Sequence, residues 1–151
     1  MRHQLIALRR WAPIPLRAIV GYGFMAHGVA KIMNGPDHFV GILRALQVPA
    51  PEFMGWATIL TELIGGFAVL IGAFVSLVSV PLIVILLVAT VTVHRPYGFS
   101  SIKLQAVTDQ GAQFGPPGYE TDLLYIACLA ALALGGTGPL TLQTRRPSFR
   151  P

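Results

Sequence analysis

The sequence predicts an all-α integral membrane protein, a four-helix bundle with up-down topology and both termini in the cytoplasm. Three observations predict this fold class. Apolar residues make up 54% of the chain and charged residues only 11%, whereas charged residues make up about 25% of an ordinary soluble domain. The mean hydropathy is +0.65. Four apolar segments have roughly the 20 residues that a helix needs to cross a bilayer core.

The four predicted helices follow from these segments in chain order. They cover about residues 15–33, 53–74, 77–94 and 119–136. The second and third need a break between them, because no charged residue occurs from Leu63 to Val93 and a helix rising about 1.5 Å per residue would overrun one crossing. We place the break at Val75–Ser79, where serines can cap a helix and Pro81 suits a first helical turn.

Arginines at both ends of the chain predict its orientation. They are Arg2, Arg9, Arg10 and Arg17 near the N-terminus and Arg145, Arg146 and Arg150 near the C-terminus. An even number of crossings puts both ends on one side, which the positive-inside rule identifies as the cytoplasm. The loops 34–52 and 95–118 then face outward. We expect one domain over residues 1–142, followed by a basic, disordered tail at 143–151.

Composition and spacing disfavour several other classes. The net charge of +5 concentrates at the two ends instead of in a basic stripe, so nucleic acid is not an expected partner. The chain has one cysteine, Cys128, which excludes an internal dithiol. No Cys/His set has zinc-ligand spacing, and His27 and His94 lie at unmatched depths for haem. A cleaved signal peptide is disfavoured because Arg17 and Lys31 interrupt the first apolar run.

Polar residues inside the predicted helices are the candidate functional residues. His27 and Lys31 lie four apart, which places them on one face of the first helix. Glu62 lies near the middle of the second helix, where an ionised residue costs around 2.5–3.5 kcal/mol and needs a partner such as Lys31. His94 closes the third helix and Glu120 opens the fourth, at the same outer face. We expect the other four side chains to converge on one outward-facing pocket above Glu62.

Most of these residues also have a purely structural interpretation. Lys31 is near enough to the helix end to snorkel to the outer interface. His27 could be a core histidine bonded to a carbonyl. His94 and Glu120 lie at predicted helix ends, where interfacial residues are common. Glu120 and Asp122 also complement the dipole of the fourth helix.

Taken in order, these residues resemble the DoxX family of small four-helix membrane proteins. The resemblance is carried by HGVAK (27–31), ELIGGFAVLIG (62–72), His94, GYE (118–120) and GGTGPLTL (135–142). The chain departs from the family pattern at FVSLVS (74–79), where many members have an arginine, and at TLQ (141–143), where many have Ser-Leu-Asp. The resemblance implies a redox-membrane context, because the family takes its name from a membrane subunit of a thiosulfate:quinone oxidoreductase. Other members are linked to quinone detoxification or oxidative-stress complexes.

On this resemblance, the first expected function is that of a quinone-interacting subunit of a membrane redox complex. His27 and Lys31 would donate hydrogen bonds to a quinone carbonyl, and Glu62 would accept or relay the accompanying proton. These three are the expected catalytic residues, and the expected quinone-binding residues are His27, Lys31, His94 and Glu120. The chain shows no electron carrier of its own, so electrons must come from a protein partner or a bound cofactor.

The alternative function is that of a non-catalytic membrane scaffold or lipid-binding protein. In it Lys31 and Glu62 form a structural clasp, and the loop 95–118 docks a partner through its aromatic residues. Proton-coupled transport is a third idea, which four short helices accommodate poorly. The lipid bilayer is the expected partner in each case, with the chain multi-pass in the cell membrane, and a homo-oligomer is left open.

Overall fold

The computed structural model describes residues 9–142, so Arg2 and the tail 143–151 lie outside the described residues. Within this range the chain is mostly helical. The helices are α1 (Pro13–Met33), α2 (Pro36–Ala45), α3 (Pro51–Ile71), α4 (Val75–Tyr97) and α5 (Glu120–Gly135). Two strands, β1 (Leu104–Thr108) and β2 (Gly111–Phe114), lie between α4 and α5. Both α3 and α4 contain a π-helical turn, at Thr61–Gly65 and Thr90–His94 respectively.

Proline marks where three of these helices begin. Pro13, Pro36 and Pro51 each stand in the first turn of their helix, where the missing N–H removes no helical hydrogen bond and the fixed φ suits the helix. Between α1 and α2 the chain turns at Gly35, which has φ +88°. Such a backbone conformation is readily adopted only by glycine. The short α2 therefore occupies a segment that the sequence predicted as a loop.

The break between α3 and α4 falls earlier than predicted. α3 ends at Ile71, and Gly72 follows in the left-handed conformation with φ +72°, a common way to end a helix. α4 then begins at Val75, so the prediction of a break at 75–79 is wrong. Pro81 lies inside α4 and not in its first turn. It cannot donate to the carbonyl four residues earlier, and the helix continues nonetheless.

The all-α prediction is wrong for the segment between α4 and α5. β1 and β2 form an antiparallel hairpin there, in which Val107 pairs with Ala112 and Thr108 with Gly111. Both strands are exposed along their whole length. The sequence carries no strong alternation of apolar and polar residues here, because neither face of the hairpin packs on a core.

The four long helices, α1, α3, α4 and α5, pack around one hydrophobic core. Its buried residues are Val20 and Phe24 of α1, Val69 of α3, Val75 and Leu82 of α4, and Leu129 and Leu132 of α5. The outward faces of the same helices are also apolar, with exposed side chains such as Phe67, Leu77 and Leu124. Exposed apolar surface of this extent indicates a membrane or another protein around the helices. Among residues 9–142, α3 and α4 are long and apolar enough to cross a membrane.

Candidate functional site

Lys31 and Glu62 form an ion pair between α1 and α3. The Lys31 ammonium donates to Oε1 of Glu62 at 2.8 Å and to Oε2 at 2.7 Å. Their side chains are 21% and 6% exposed, respectively. Both carboxylate oxygens are therefore hydrogen-bonded to the same ammonium group, as a buried acid requires. The ammonium group of Lys31 is therefore directed to Glu62 on the neighbouring helix.

Backbone geometry brings these two side chains together. Gly28, one turn before Lys31, packs on the residue after Glu62, and a Cβ on Gly28 would lie only 2.8 Å from Cγ of Leu63. Small residues of this kind let helices approach closely. Glu62 itself stands on the π-helical turn Thr61–Gly65. A π turn re-aims the side chains that it carries, and such turns are frequent at functional sites.

His27 lies one helical turn before Lys31 and is exposed. Its ring has no hydrogen-bond partner in the part of the chain that the structure describes. The interpretation of His27 as a core histidine bonded to a carbonyl is therefore wrong. Both ring nitrogens are available to a molecule that approaches α1 from outside.

The ammonium group of Lys31 has one N–H donor beyond the two that Glu62 accepts. Of its three N–H donors, two are directed to Glu62, and no acceptor for the third lies among residues 9–142. The ring of Phe39, on α2, has its centroid 5.0 Å from Nζ of Lys31. The site thus combines a free ammonium N–H, a buried carboxylate, an exposed imidazole and one aromatic face.

A second buried acid, Asp122, pairs with His94 where α4 ends and α5 begins. Nδ1 of His94 lies 2.6 Å from Oδ2 of Asp122, and the hydroxyl of Thr90 donates to the same oxygen at 2.9 Å. Asp122 is 6% exposed. Thr90 and His94 are the first and last residues of the second π-helical turn. Sequence reasoning missed this pair, because it assigned Asp122 only to the helix dipole.

Glu120 lies two residues before Asp122 but contacts a different part of the chain. Its Oε2 accepts a hydrogen bond from the backbone N–H of Ser101 at 3.0 Å. The hydroxyl of Ser101 in turn donates to the carbonyl of Gly118 at 2.9 Å. Glu120 therefore fastens the segment after α4 onto the start of α5.

The structure joins some of the predicted site residues by direct contact and gives others different partners. Lys31 and Glu62 are in contact, with His27 beside them. His94 and Glu120 make their contacts with Asp122 and Ser101, and no hydrogen bond or ion pair within residues 9–142 joins them to Lys31. These contacts join Lys31 to Glu62 and His94 to Asp122, and the convergence of all five side chains on one pocket stays a prediction.

Arg17 is buried, although its sequence context placed it among the interfacial arginines of the N-terminus. It is 5% exposed. Its guanidinium donates to the carbonyls of Val69 and Leu70 at the end of α3, and to those of Thr137, Pro139 and Leu140 after α5. These bonds occupy all five N–H groups of an arginine. Arg17 therefore joins the end of α3 to the segment that follows α5.

A groove of about 480 Å³ lies beside Arg17, at the other end of α1 from Lys31. Its other lining residues are apolar: Ile14, Ala18, Leu70, Ile71, Leu140 and Leu142. Since the donors of Arg17 are all engaged, no lining side chain in the part of the chain that the structure describes is free to orient a polar ligand. A binding site usually has such groups, and the groove is therefore a weaker candidate than the region around Lys31.

The described residues contain no group of three or more His, Cys, Asp or Glu side chains that could hold a metal ion. Cys128 is a half-buried free cysteine on α5. It packs against the hydrophobic core. Lys31, Glu62 and His27 carry the donors and acceptors for hydrogen bonding and proton transfer.

Comparison with known proteins yields one family. No curated protein and no solved structure matches the chain significantly. The DoxX family model matches residues 12–95, more than half of the chain. The matched range runs from α1 into the end of α4, so it includes Lys31, Glu62 and His94, while Glu120 and Asp122 lie beyond it. The chain belongs to the DoxX family, a family of membrane proteins that is often linked to redox-associated function.

Proposed function

We propose that this chain is a multi-pass protein of the cell membrane whose four long helices all span the bilayer, with both termini in the cytoplasm. What supports this is that α1 and α5 share one core with α3 and α4, the two helices long and apolar enough to cross. The exposed Arg9 and Arg10 lie at one end of the helices, where the positive-inside rule puts the cytoplasm. The β-hairpin then lies on the outer side.

We further propose that the chain is a subunit of a membrane redox complex and interacts with quinone at Lys31, Glu62 and His27. One observation carries this proposal: the Lys31 ammonium keeps one N–H without an acceptor among the described residues while it is held by the buried carboxylate of Glu62. That N–H suits a carbonyl oxygen. His27 is exposed one helical turn before Lys31, where it would face a lipid-soluble substrate that arrives from the bilayer.

In this proposal each side chain has a distinct task. Lys31 donates its free N–H to a quinone carbonyl and stabilises the negative charge that develops there as electrons arrive. His27 donates a second hydrogen bond. Glu62 orients the ammonium and relays a proton to the reduced oxygen, which is general acid–base chemistry. A partner protein supplies two electrons. Two protons complete the hydroquinone: Glu62 relays one to the oxygen bound by Lys31, and the other quinone oxygen takes one up from water.

The proposal is tested by measuring quinone that copurifies with the protein. Wild-type protein, Glu62→Gln and Lys31→Ala are purified in mild detergent, extracted, and analysed by mass spectrometry for quinone relative to phospholipid. Quinone enriched over the bulk lipid in the wild type, and lost in variants that keep their helical circular dichroism and elution volume, supports the site. An equal quinone-to-lipid ratio in all three proteins contradicts it.

A second candidate function is favoured by the same ion pair. A lysine that donates to both oxygens of a buried glutamate also suits a structural clasp between α1 and α3, in a non-catalytic membrane scaffold. Its partner would dock on the exposed hairpin side, where Val107 and Phe114 are exposed. In that case a second copy of this chain is one candidate partner, which chemical crosslinking in membranes would reveal.

The two candidate functions predict different results when Lys31 and Glu62 are both replaced by uncharged residues. Lys31→Met alone leaves a buried carboxylate unpaired, which costs about 3–5 kcal/mol of unfolding free energy. Lys31→Met combined with Glu62→Leu removes both charges, and thermal unfolding in detergent should return close to that of the wild type. A scaffold retains partner binding in the double variant, whereas the quinone site loses its ligand.

A further inference from the structure

Phe39 is an aromatic residue at the ion pair that the proposed chemistry does not use. It stands on α2, eight residues after Lys31 in the chain, and its ring centroid lies 5.0 Å from Nζ of Lys31. The side chain is half-buried. An ammonium near an aromatic face gains a modest cation–π attraction. The ring of Phe39 therefore lies beside the ammonium group that carries the remaining N–H.

The position of this ring is set by the packing of α2 on α3. Val40, the residue after Phe39, is buried and packs so closely on Gly55 that a Cβ there would lie 2.8 Å from its Cγ2. At the far end of α2, Arg44 and Glu52 form an exposed ion pair at 2.5 Å. The buried contact of Val40 with Gly55 therefore fixes α2 against α3, and the exposed ion pair adds little to it. The aromatic face of Phe39 is accordingly a preformed part of the site.

A quinone bound to Lys31 would place its own ring within reach of Phe39. With a hydrogen bond of about 2.9 Å between Nζ and the carbonyl oxygen, the centre of the quinone ring lies roughly 5 Å from Nζ. Two rings that are each at this distance from the same nitrogen can lie about 4.5–7 Å apart, the separation preferred by aromatic pairs. A small aliphatic side chain in place of Phe39 would offer neither the area nor the ring face.

We propose that Phe39 is the ring-stacking residue of the quinone site, and that it selects ligands with a planar ring attached to the carbonyl that Lys31 binds. This inference rests on the proposed function and adds to it a residue outside the polar group. It also gives α2, which lies in a segment predicted as a loop, a role in the site: α2 supplies the apolar wall, and the polar groups come from α1 and α3.

The test is the equilibrium binding of decylubiquinone to purified protein in lipid nanodiscs, measured by saturable quenching of tryptophan fluorescence. The variants are Phe39→Leu, Phe39→Tyr, Glu62→Gln and, as the matched control, Phe53→Leu. Phe53 is 70% exposed in the first turn of α3, so the control also removes one aromatic ring. Thermal unfolding of each variant is recorded beside the binding.

We expect Phe39→Leu to raise the Kd by roughly two- to tenfold, the range expected from one aromatic pair, at an unchanged melting temperature. Phe39→Tyr keeps the ring and should bind within about twofold of the wild type, as should Phe53→Leu. Wild-type affinity in Phe39→Leu, with binding lost in Glu62→Gln, overturns the role of Phe39 and leaves the proposed site standing. Equal weakening in Phe39→Leu and Phe53→Leu also overturns it. No saturable binding in the wild type overturns both proposals.

Discussion

Gly21 of α1 and Gly66 of α3 face each other without room for a side chain on either. A Cβ on Gly21 would lie 2.7 Å from the carbonyl oxygen of Gly66, and a Cβ on Gly66 would lie 2.8 Å from the carbonyl oxygen of Gly21. Backbone atoms cannot swing aside as a flexible side chain can. This contact therefore sets how closely α1 approaches α3, and so how closely Lys31 approaches Glu62.

Substituting Gly21 should loosen the helix pair. We expect Gly21→Ala to force α1 away from α3 and to lower the melting temperature in detergent, because the added methyl group meets backbone. The matched control is Gly41→Ala on α2, where a Cβ has nothing within 4 Å and alanine is the better helix former by up to about 1 kcal/mol. Equal melting temperatures for the two variants would show that the close approach is unimportant for stability.

The stability of the protein should depend on the five N–H donors of Arg17 and not only on its positive charge. It donates five hydrogen bonds to backbone carbonyls on two separate parts of the chain. Lysine has three donors on a single nitrogen and cannot span both sets. We expect Arg17→Lys to lower the unfolding free energy by about 2 kcal/mol or more, since orphaned buried carbonyls are costly. The measurement is an equilibrium titration with sodium dodecyl sulfate.

The exposed Arg9 provides the control for this substitution. Arg9→Lys keeps the charge at the same end of α1 and should leave the titration midpoint unchanged. A midpoint for Arg17→Lys that matches the control would mean that the carbonyls find water or other partners, and that Arg17 acts by charge alone.

The contact of Asp122 with His94 and Thr90 predicts a stability effect at the hairpin end of the helices. Asp122→Asn keeps the shape but removes the charge, so the bonds from His94 and Thr90 to Oδ2 are weakened or lost. Hydrogen bonds to a charged group are worth about 1.5–3 kcal/mol, and we expect a loss of that order in the same titration. Asp109→Asn, at the exposed turn between β1 and β2, is the control and should behave as wild type. A loss in both variants would point to net charge and not to this contact.

The orientation in the membrane can be read by cysteine labelling of intact cells. In a Cys128→Ser background, Asp109→Cys at the hairpin turn should react with a membrane-impermeant maleimide. Arg9→Cys near the N-terminus and Leu142→Cys after α5 should react only after permeabilisation, because the positive-inside rule puts both ends in the cytoplasm. The reverse labelling pattern would mean that both termini face outward and the hairpin faces the cytoplasm. Labelling of Arg9→Cys and Asp109→Cys from the same side would rule out three crossings between them.

The sequence predicted the helices better than their connections. Apolar length and composition identify α3 and α4, because a bilayer-sized apolar run has few other uses. The break between them was misplaced because the prediction relied on Ser76, Ser79 and Pro81, whereas Gly72 in the left-handed conformation ends α3. The hairpin between α4 and α5 escaped prediction because it is exposed on both faces and carries no alternation of apolar and polar residues.

Part of the candidate site was also accessible to sequence reasoning. A glutamate in an apolar helix needs a partner, and Lys31 is the natural partner by charge. The partners of His94 and Glu120 were not accessible in the same way. Glu120 and Asp122 are two residues apart at the start of α5, and which of them turns inward depends on how the segment around Ser101 packs against that helix.

The sequence by itself determined that this chain is a mostly helical membrane protein of the DoxX family with an acidic and a basic group inside its apolar helical segments. It could do so because composition and apolar length are properties of the chain alone. The tertiary structure decided that Arg17 is buried, that Asp122 pairs with His94, and that Phe39 lies beside Lys31. Those outcomes depend on distances of a few ångströms between separate helices, set where Gly21 meets Gly66 and Val40 meets Gly55, and no spacing within one segment encodes them.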